Sequence, residues 1–338
     1  MGIELGWGDT HSGKSTALEV LARHMNKMSG KKTRVYIGDG GGESYNSHGL
    51  VDDGIIEMFD YSGREYPMMV LKLMTDYYWP KDWRDPASKL APPPANLIDD
   101  YGLMIFEGGQ VMGQWMLSDT PGGFAWHAAN ETGFGGVKDE NEELSFEDME
   151  GSKDIPEVYR LQGVVSPKHF YKVQQKLLSA VISSKKFPGL VYWTSHPTQE
   201  TADKTAGATA DQYGKITGKK VIGPDFGGKA LASLIPAKFG NTLHFDTVPV
   251  QRKEKDPLTN NQITIIEREY RLYTRRHMDP EMKEDAEYIA GNRASAGSKL
   301  KMPDYFVSKE PGDSILQFYQ RLSDIRAEVK ASASKEVG

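Results

Sequence analysis

Gly8-Asp9-Thr10-His11-Ser12-Gly13-Lys14-Ser15, followed by Thr16, is the stretch on which the reading of this chain turns. It fits the pattern G-x-x-x-x-G-K-[ST] at every fixed position. A loop that aims successive backbone N–H groups at phosphate oxygens has to curl tightly. A side chain at Gly8 or Gly13 would obstruct that approach. Lys14 is then placed to reach the β- and γ-phosphates of a nucleotide, and the Ser15 hydroxyl to ligate Mg²⁺. ATP and Mg²⁺ are therefore the ligands this loop leads one to expect.

The flanks supply the context the motif requires. Gly2-Ile3-Glu4-Leu5 alternates like a short strand, and Ala17, Leu18, Val20, Leu21, Met25 and Met28 recur at helical spacing before a stop at Ser29-Gly30. A second strand is expected over Thr33–Gly38, running into Asp39-Gly40-Gly41-Gly42-Glu43. Acids beside glycines at a strand's carboxyl end stand where an open α/β sheet forms its ligand crevice. Further strands are expected at 55–61 and at Tyr101–Glu107. The latter is a continuous apolar run closed by a carboxylate, which marks a central parallel strand ending at a metal site. The bland alternative for Glu107 is a turn acid after a buried strand.

Helices are expected at Pro67–Tyr78, Gln110–Leu117 and Pro167–Lys185, and a strand at Leu190–Thr194 with Ser195-His196 at its end. In a parallel sheet that end faces the γ-phosphate, where a polar side chain senses ATP or orients the attacking water; the plain alternative is a structural histidine. Pro80–Pro94 reads as a surface connection, and Pro197–Lys229 as a long polar loop. After a short helix at Ala230–Ile235, strands at Leu243–Val250 and Ile263–Arg275 surround a turn, making a C-terminal β-hairpin. Its second strand and exit carry Arg268, Arg271, Arg275 and Arg276, either solvated surface groups or the source of an arginine for a neighbouring subunit's γ-phosphate. A helix is expected from Pro280 to Asn292, then loop over 294–312. An amphipathic helix follows at Ser314–Lys330, with a frayed Ala/Ser/Lys tail.

Composition narrows the classes. The chain has 338 residues and no cysteine, which excludes disulfides, zinc-thiolate sites and a cysteine nucleophile. No apolar run approaches the length of a membrane span and no basic-then-apolar leader is visible, so the expectation is a soluble cytoplasmic protein, in the host cytoplasm if viral. The net charge of −6 is concentrated. Residues 138 to 157 hold nine acids against Lys138 and Lys153, a local −7 that leaves +1 for the rest. Overall acidity therefore does not exclude a nucleic-acid partner. Residues 118–157 lack periodicity and read as an acidic insertion: a solvated loop, a docking tail, or a flap that mimics or repels nucleic acid.

Taken in order, the phosphate loop, the Leu103–Glu107 strand, the Val191–His196 strand and the arginine-bearing hairpin resemble a RecA-type P-loop ATPase core. Within that superfamily the chain resembles the compact phage ATPases of the AAA_24 or Sak-type group, linked to single-strand annealing and recombination. The later stretches Pro224-Asp225-Phe226-Gly227-Gly228-Lys229-Ala230-Leu231, Leu234-Ile235-Pro236-Ala237-Lys238-Phe239, Tyr273-Thr274-Arg275-Arg276-His277 and Asn292-Arg293 are similar to that group's landmarks. The resemblance implies a RecA-like α/β fold, mainly parallel, with helices flanking the sheet. It would occupy residues 1–310, with the terminal helix and tail at 311–338.

The resemblance further implies that Glu43 activates the hydrolytic water, with Asp39 as a rival, and that Ser195 or His196 is the γ-phosphate sensor leading into a DNA-binding loop. Glu107 stands where the family usually has Asp. Arg275, Arg276 or Arg293 would act across a subunit boundary, in a homo-oligomeric ring or filament. The expected activity is Mg²⁺-dependent ATP hydrolysis by Lys14, Ser15, Glu43, Glu107 and His196, coupled to single-stranded DNA in recombination, annealing or replication. The alternatives are a DNA-packaging motor, a small-molecule kinase, or a non-enzymatic nucleotide-binding scaffold of a phage particle. The basic region after residue 240 is too short for the nuclease domain a packaging motor carries.

Overall fold

Five consecutive buried residues, Ile3–Trp7, form strand β1 and place the glycine loop at its carboxyl end. The computed structural model describes residues 2–38, 41–46, 48–60, 79–80, 90–91, 100–118, 167–185, 187–201, 220–226, 235–255, 261–278, 286–293 and 298–336. After the loop come helix α1 (Lys14–Ser29), β2 (Lys32–Ile37) and β3 (Ile56–Asp60). Next are β4 (Tyr101–Glu107), α2 (Gly109–Ser118), α3 (Pro167–Ser184) and β5 (Leu190–Ser195). Then follow β6 (Pro197–Thr201), β7 (Lys220–Pro224), β8 (Asn241–Lys255) and β9 (Gln262–Tyr273). The last elements are β10 (His277–Met278), β11 (Ala286–Tyr288), β12 (Gly291–Asn292), β13 (Tyr305–Ser308) and α4 (Asp313–Glu336).

The main sheet has the order β13-β9-β8-β1-β5-β4-β2-β3, with β12 also on β8. From β8 to β3 every neighbouring pair is parallel. β9, β12 and β13 add antiparallel strands at one side. The protein is thus α/β with a mixed, mostly parallel sheet. Leaving β1 the chain passes through α1 to β2, whereas from β5 it crosses to β8 on the other side of β1. That reversal opens a crevice at the carboxyl end of β1.

Period-two alternation divides the core between the two faces of the sheet. Met104 and Phe106 of β4 join Leu5, Val191 and Trp193 under Met112 of α2 and Leu177 and Val181 of α3. Leu103 and Ile105 face the other way, toward Leu18 and Leu21 of α1 and Ile315, Phe318 and Leu322 of α4. Each of these large apolar side chains contributes roughly 1.5–3 kcal/mol by leaving water. On the first face the rings of Tyr36, Phe106 and Trp193 stack from strand to strand, with centroids 5.0 and 4.4 Å apart. α1 ends where expected: Gly30 has φ 70° and donates its N–H to the Asn26 carbonyl. Among the described residues, no helix is long and apolar enough to cross a membrane.

Several local expectations give way. Within the expected Pro280–Asn292 helix, the described residues form β11 and β12. Ala286–Tyr288 pairs in parallel with Lys220–Ile222, and Tyr288 stacks 5.0 Å from both His244 and His277, so tertiary partners override local propensity. The described residues of the Pro197–Lys229 loop include two antiparallel strands, β6 and β7, in a small sheet of order β10-β11-β7-β6. The 294–312 loop contains β13, which adds to the edge of β9. The tail expected to fray continues α4 to Glu336. The Pro67–Tyr78 helix and the 118–157 insertion lie outside the described residues apart from Ser118, which ends α2.

Candidate functional site

Strand register brings four chain segments to one edge of the sheet. Trp7 is level with Ser195 on one side and His244 on the other, Phe106 is level with Trp193, and Ile37 with Glu107. The glycine loop, the end of β4 and the end of β5 therefore meet at the crevice. There they line a cavity of about 410 Å³ together with Ser44, Arg268, Tyr270 and Pro311.

The loop is built for close approach. A Cβ on Gly8 would stand 2.1 Å from the Phe245 carbonyl oxygen, and one on Gly13, at φ 82°, 2.8 Å from Cβ of Pro311. Neither position tolerates a side chain without movement of its surroundings. His11 adopts φ 67°, a left-handed conformation costly for a residue with a Cβ. The amino end of α1 carries no acid in its first turn and no side-chain cap. Its first-turn N–H groups have no intrahelical acceptors, which makes this end of the helix receptive to an anion.

Lys14, buried, folds back on the loop. Its Nζ donates to the carbonyls of Gly8 at 2.7 Å and Asp9 at 2.8 Å. Ser15 donates its hydroxyl to Oε1 of Glu107 at 2.5 Å across the crevice, although the two are 92 positions apart in the chain. A hydroxyl and a carboxylate at one point form a hard, all-oxygen donor pair, of the kind that holds Mg²⁺ together with phosphate oxygens. Among the described residues there is no cluster of His, Cys, Asp and Glu that could hold a metal by itself. The Ser15 hydroxyl and the Glu107 carboxylate fit a divalent cation whose remaining ligands are phosphate oxygens and water.

β5 ends in groups with distinct duties. Thr194 Oγ1 accepts the Gly108 N–H at 3.2 Å, tying β5 to the turn after Glu107. The Ser195 hydroxyl donates to the carbonyls of Asp225 and, at 3.0 Å, of His196, so it anchors the entry to the small sheet. The His196 backbone N–H donates to Oε1 of Gln110 at 3.1 Å, and the residue lines the cavity. Glu43 stands in the short 3₁₀ turn Gly41–Asn46 after β2, whose Ser44 reaches the cavity. Asp39 lies outside the described residues.

Beneath the loop, Trp7 stacks on His244 at 4.2 Å, and Tyr273 stacks on His277 at 3.5 Å. His244 Nδ1 and His277 Nε2 are 3.2 Å apart. Burial first, then His277 and Lys14, hold His244 well below the usual histidine range, so it is neutral beside the lysine.

The expected trans-acting arginines lie elsewhere. Arg275 pairs with Asp304 at 2.8 Å, Arg276 with Glu287 at 3.7 Å, and Arg293 donates to the Ala237 carbonyl at 2.7 Å. Sequence reasoning did not assign Tyr270, Pro311, Ser44, Gln110 or Thr194 to the site, and weighed Arg268 only among the hairpin arginines that could serve a neighbouring subunit. The strand period offered one usable signal, since Arg268 and Tyr270 are two apart on β9 and share a face. Neither protein-family models nor curated protein sequences match the chain.

Proposed function

We propose that this chain is a RecA-like P-loop ATPase that couples Mg²⁺-dependent hydrolysis of ATP to the binding and release of single-stranded DNA. The observation that carries the reading is the Ser15–Glu107 contact beside Lys14, at the carboxyl ends of parallel strands. Mg²⁺, when bound, would neutralise charge on the β- and γ-phosphates. Ser15 and Glu107 would hold it. Lys14 would exchange its carbonyl acceptors for phosphate oxygens, and the α1 amides would stabilise developing negative charge. Glu43 would orient or deprotonate the attacking water.

His196 is the point from which the cycle would be transmitted. It stands between the cavity and β6, and its carbonyl accepts the Asp225 N–H at 2.7 Å just beyond β7. A shift of His196 on loss of the γ-phosphate would therefore move both arms of the ribbon that would grip DNA. Exposed arginines held by surface ion pairs, such as Arg275 and Arg276, would be recruited by a neighbouring subunit's nucleotide at little cost, because such pairs are worth about 0–1 kcal/mol. A ring or filament follows from that requirement.

The test is steady-state release of phosphate from ATP, with and without single-stranded DNA. DNA-stimulated turnover supports the reading. Phosphate delivered to an organic acceptor would instead show a kinase, and nucleotide binding without turnover a scaffold.

A further inference from the structure

The cavity has two chemically different flanks, separated by β1. On the β5 and β4 side stand Ser15, Glu107 and His196; on the β8 and β9 side stand Arg268, Tyr270 and Pro311. Ser15 and Glu107 would hold Mg²⁺ on the first flank, and the terminal phosphates of a triphosphate would then stand there. The nucleoside would then extend over Gly13 toward the second. There Tyr270 and Pro311 close on the loop: a Cβ at Gly13 would meet Pro311 at 2.8 Å and the Tyr270 ring at 3.2 Å.

Arg268 differs from the neighbouring arginines. Arg252, Arg271, Arg275 and Arg276 each pair with a carboxylate of the same chain. Among the described residues, the Arg268 side chain makes no hydrogen bond or ion pair, yet it lines the cavity from an exposed position on β9. β9 is also the outer strand of a long arm. Its pairing with β8 runs from Tyr273 opposite His244 to Gln262 opposite Lys255, while β1 stops at His244 and β13 at Tyr270. Arg268 thus sits just outside the last residue that the sheet holds from both sides.

Resting on the ATPase reading, we propose that Arg268 binds the nucleotide in cis, through the phosphates shared by ADP and ATP, on the nucleoside side of the pocket. The guanidinium supplies a planar set of donors to oxygens next to the ribose, with Tyr270 and Pro311 as the apolar wall beside it. An arginine in this position contributes to ground-state binding, because it touches no atom of the bond that breaks. Its removal raises KM and leaves kcat nearly unchanged.

The test compares wild-type protein, Arg268→Ala and, as a control arginine farther out on the β8–β9 arm, Arg252→Ala. Affinities for Mg-ADP and Mg-ATP are measured by calorimetry. The expected result is a loss of about ten- to a hundredfold for both nucleotides in Arg268→Ala, as for a charge-assisted hydrogen bond, and little change in Arg252→Ala. Unchanged affinity in Arg268→Ala overturns the proposal. A loss confined to ATP overturns it too, because it would move Arg268 to the γ-phosphate.

Mixing Arg268→Ala with Lys14→Ala subunits settles whether the arginine acts within its own chain. In cis, the mixture hydrolyses ATP no faster than the sum of its parts. Rescue would show action on a neighbour and overturn the assignment. Failure of the wild-type chain itself to bind either nucleotide would overturn the ATPase reading, and this proposal with it.

Discussion

Replacing Glu4 with glutamine is expected to stabilise the protein above pH 7 and to change little near pH 5. Glu4 lies on β1 with 2 % of its surface exposed, beside Asn241 and the buried phenols of Tyr192 and Tyr319. Burial pushes its carboxyl up from 4.5 to about 7, against the opposing pull of the Asn241 hydrogen bond and the Arg326 charge. In the unfolded chain the same group ionises near its ordinary value. Between these values the folded state binds more protons, so folding stability from this group is full below about pH 4.5 and is lost as pH rises through 7. The difference amounts to about 3 kcal/mol once both states are ionised. Glutamine keeps the shape and does not ionise, so it removes that loss. Urea unfolding at pH 5 and pH 9 provides the assay, with other titrating groups cancelling between wild type and variant. A stability difference that is the same at both pH values, or a variant weaker than wild type at pH 9, would refute the reasoning.

Glu107→Gln keeps a hydrogen-bonding partner for Ser15 but loses the charge, so Mg-ATP binding should persist while turnover falls about a hundredfold, as read by calorimetry and phosphate release. Gly8→Ala drives a methyl into the Phe245 carbonyl, so it should lower stability by about 1–3 kcal/mol in denaturant unfolding and abolish nucleotide binding together. Gly30→Ala provides the contrast: nothing lies within 4 Å of its added Cβ, so it should cost about 1 kcal/mol from the left-handed cap alone and leave nucleotide affinity intact.

Much of the parallel core was legible because its signals are local. Continuous apolar runs marked β4 and β5, helical spacing marked α1, α3 and α4, and the glycine pattern marked the turn between β1 and α1. What escaped depends on distant partners. Ala286–Tyr288 has too few residues to show a period, and its strand exists through β7 and the Trp7–His244–His277 stack. β13, Tyr305–Ser308, is only four residues long, too short for its alternation to stand out, and it exists as a strand through its pairing with β9. The lysine, serine and carboxylate of the site were readable from motif position. Arg268 and Tyr270 were not, because their place at the cavity comes from β8 lying beside β1, which no sequence spacing encodes. Ser195 and His196, the two sensor candidates, both line the cavity; the Ser195 hydroxyl bonds to the Asp225 and His196 carbonyls, and the His196 backbone N–H is held by Gln110.

The most direct trial of the central claim is the affinity of the full chain for Mg-ATP, measured beside Lys14→Ala. Lys14 contributes a buried charge at the loop, so wild-type protein should bind the nucleotide and the variant should bind it at least about tenfold more weakly. Equal affinity in the two proteins, or none in wild type, would contradict the assignment of this crevice to a triphosphate.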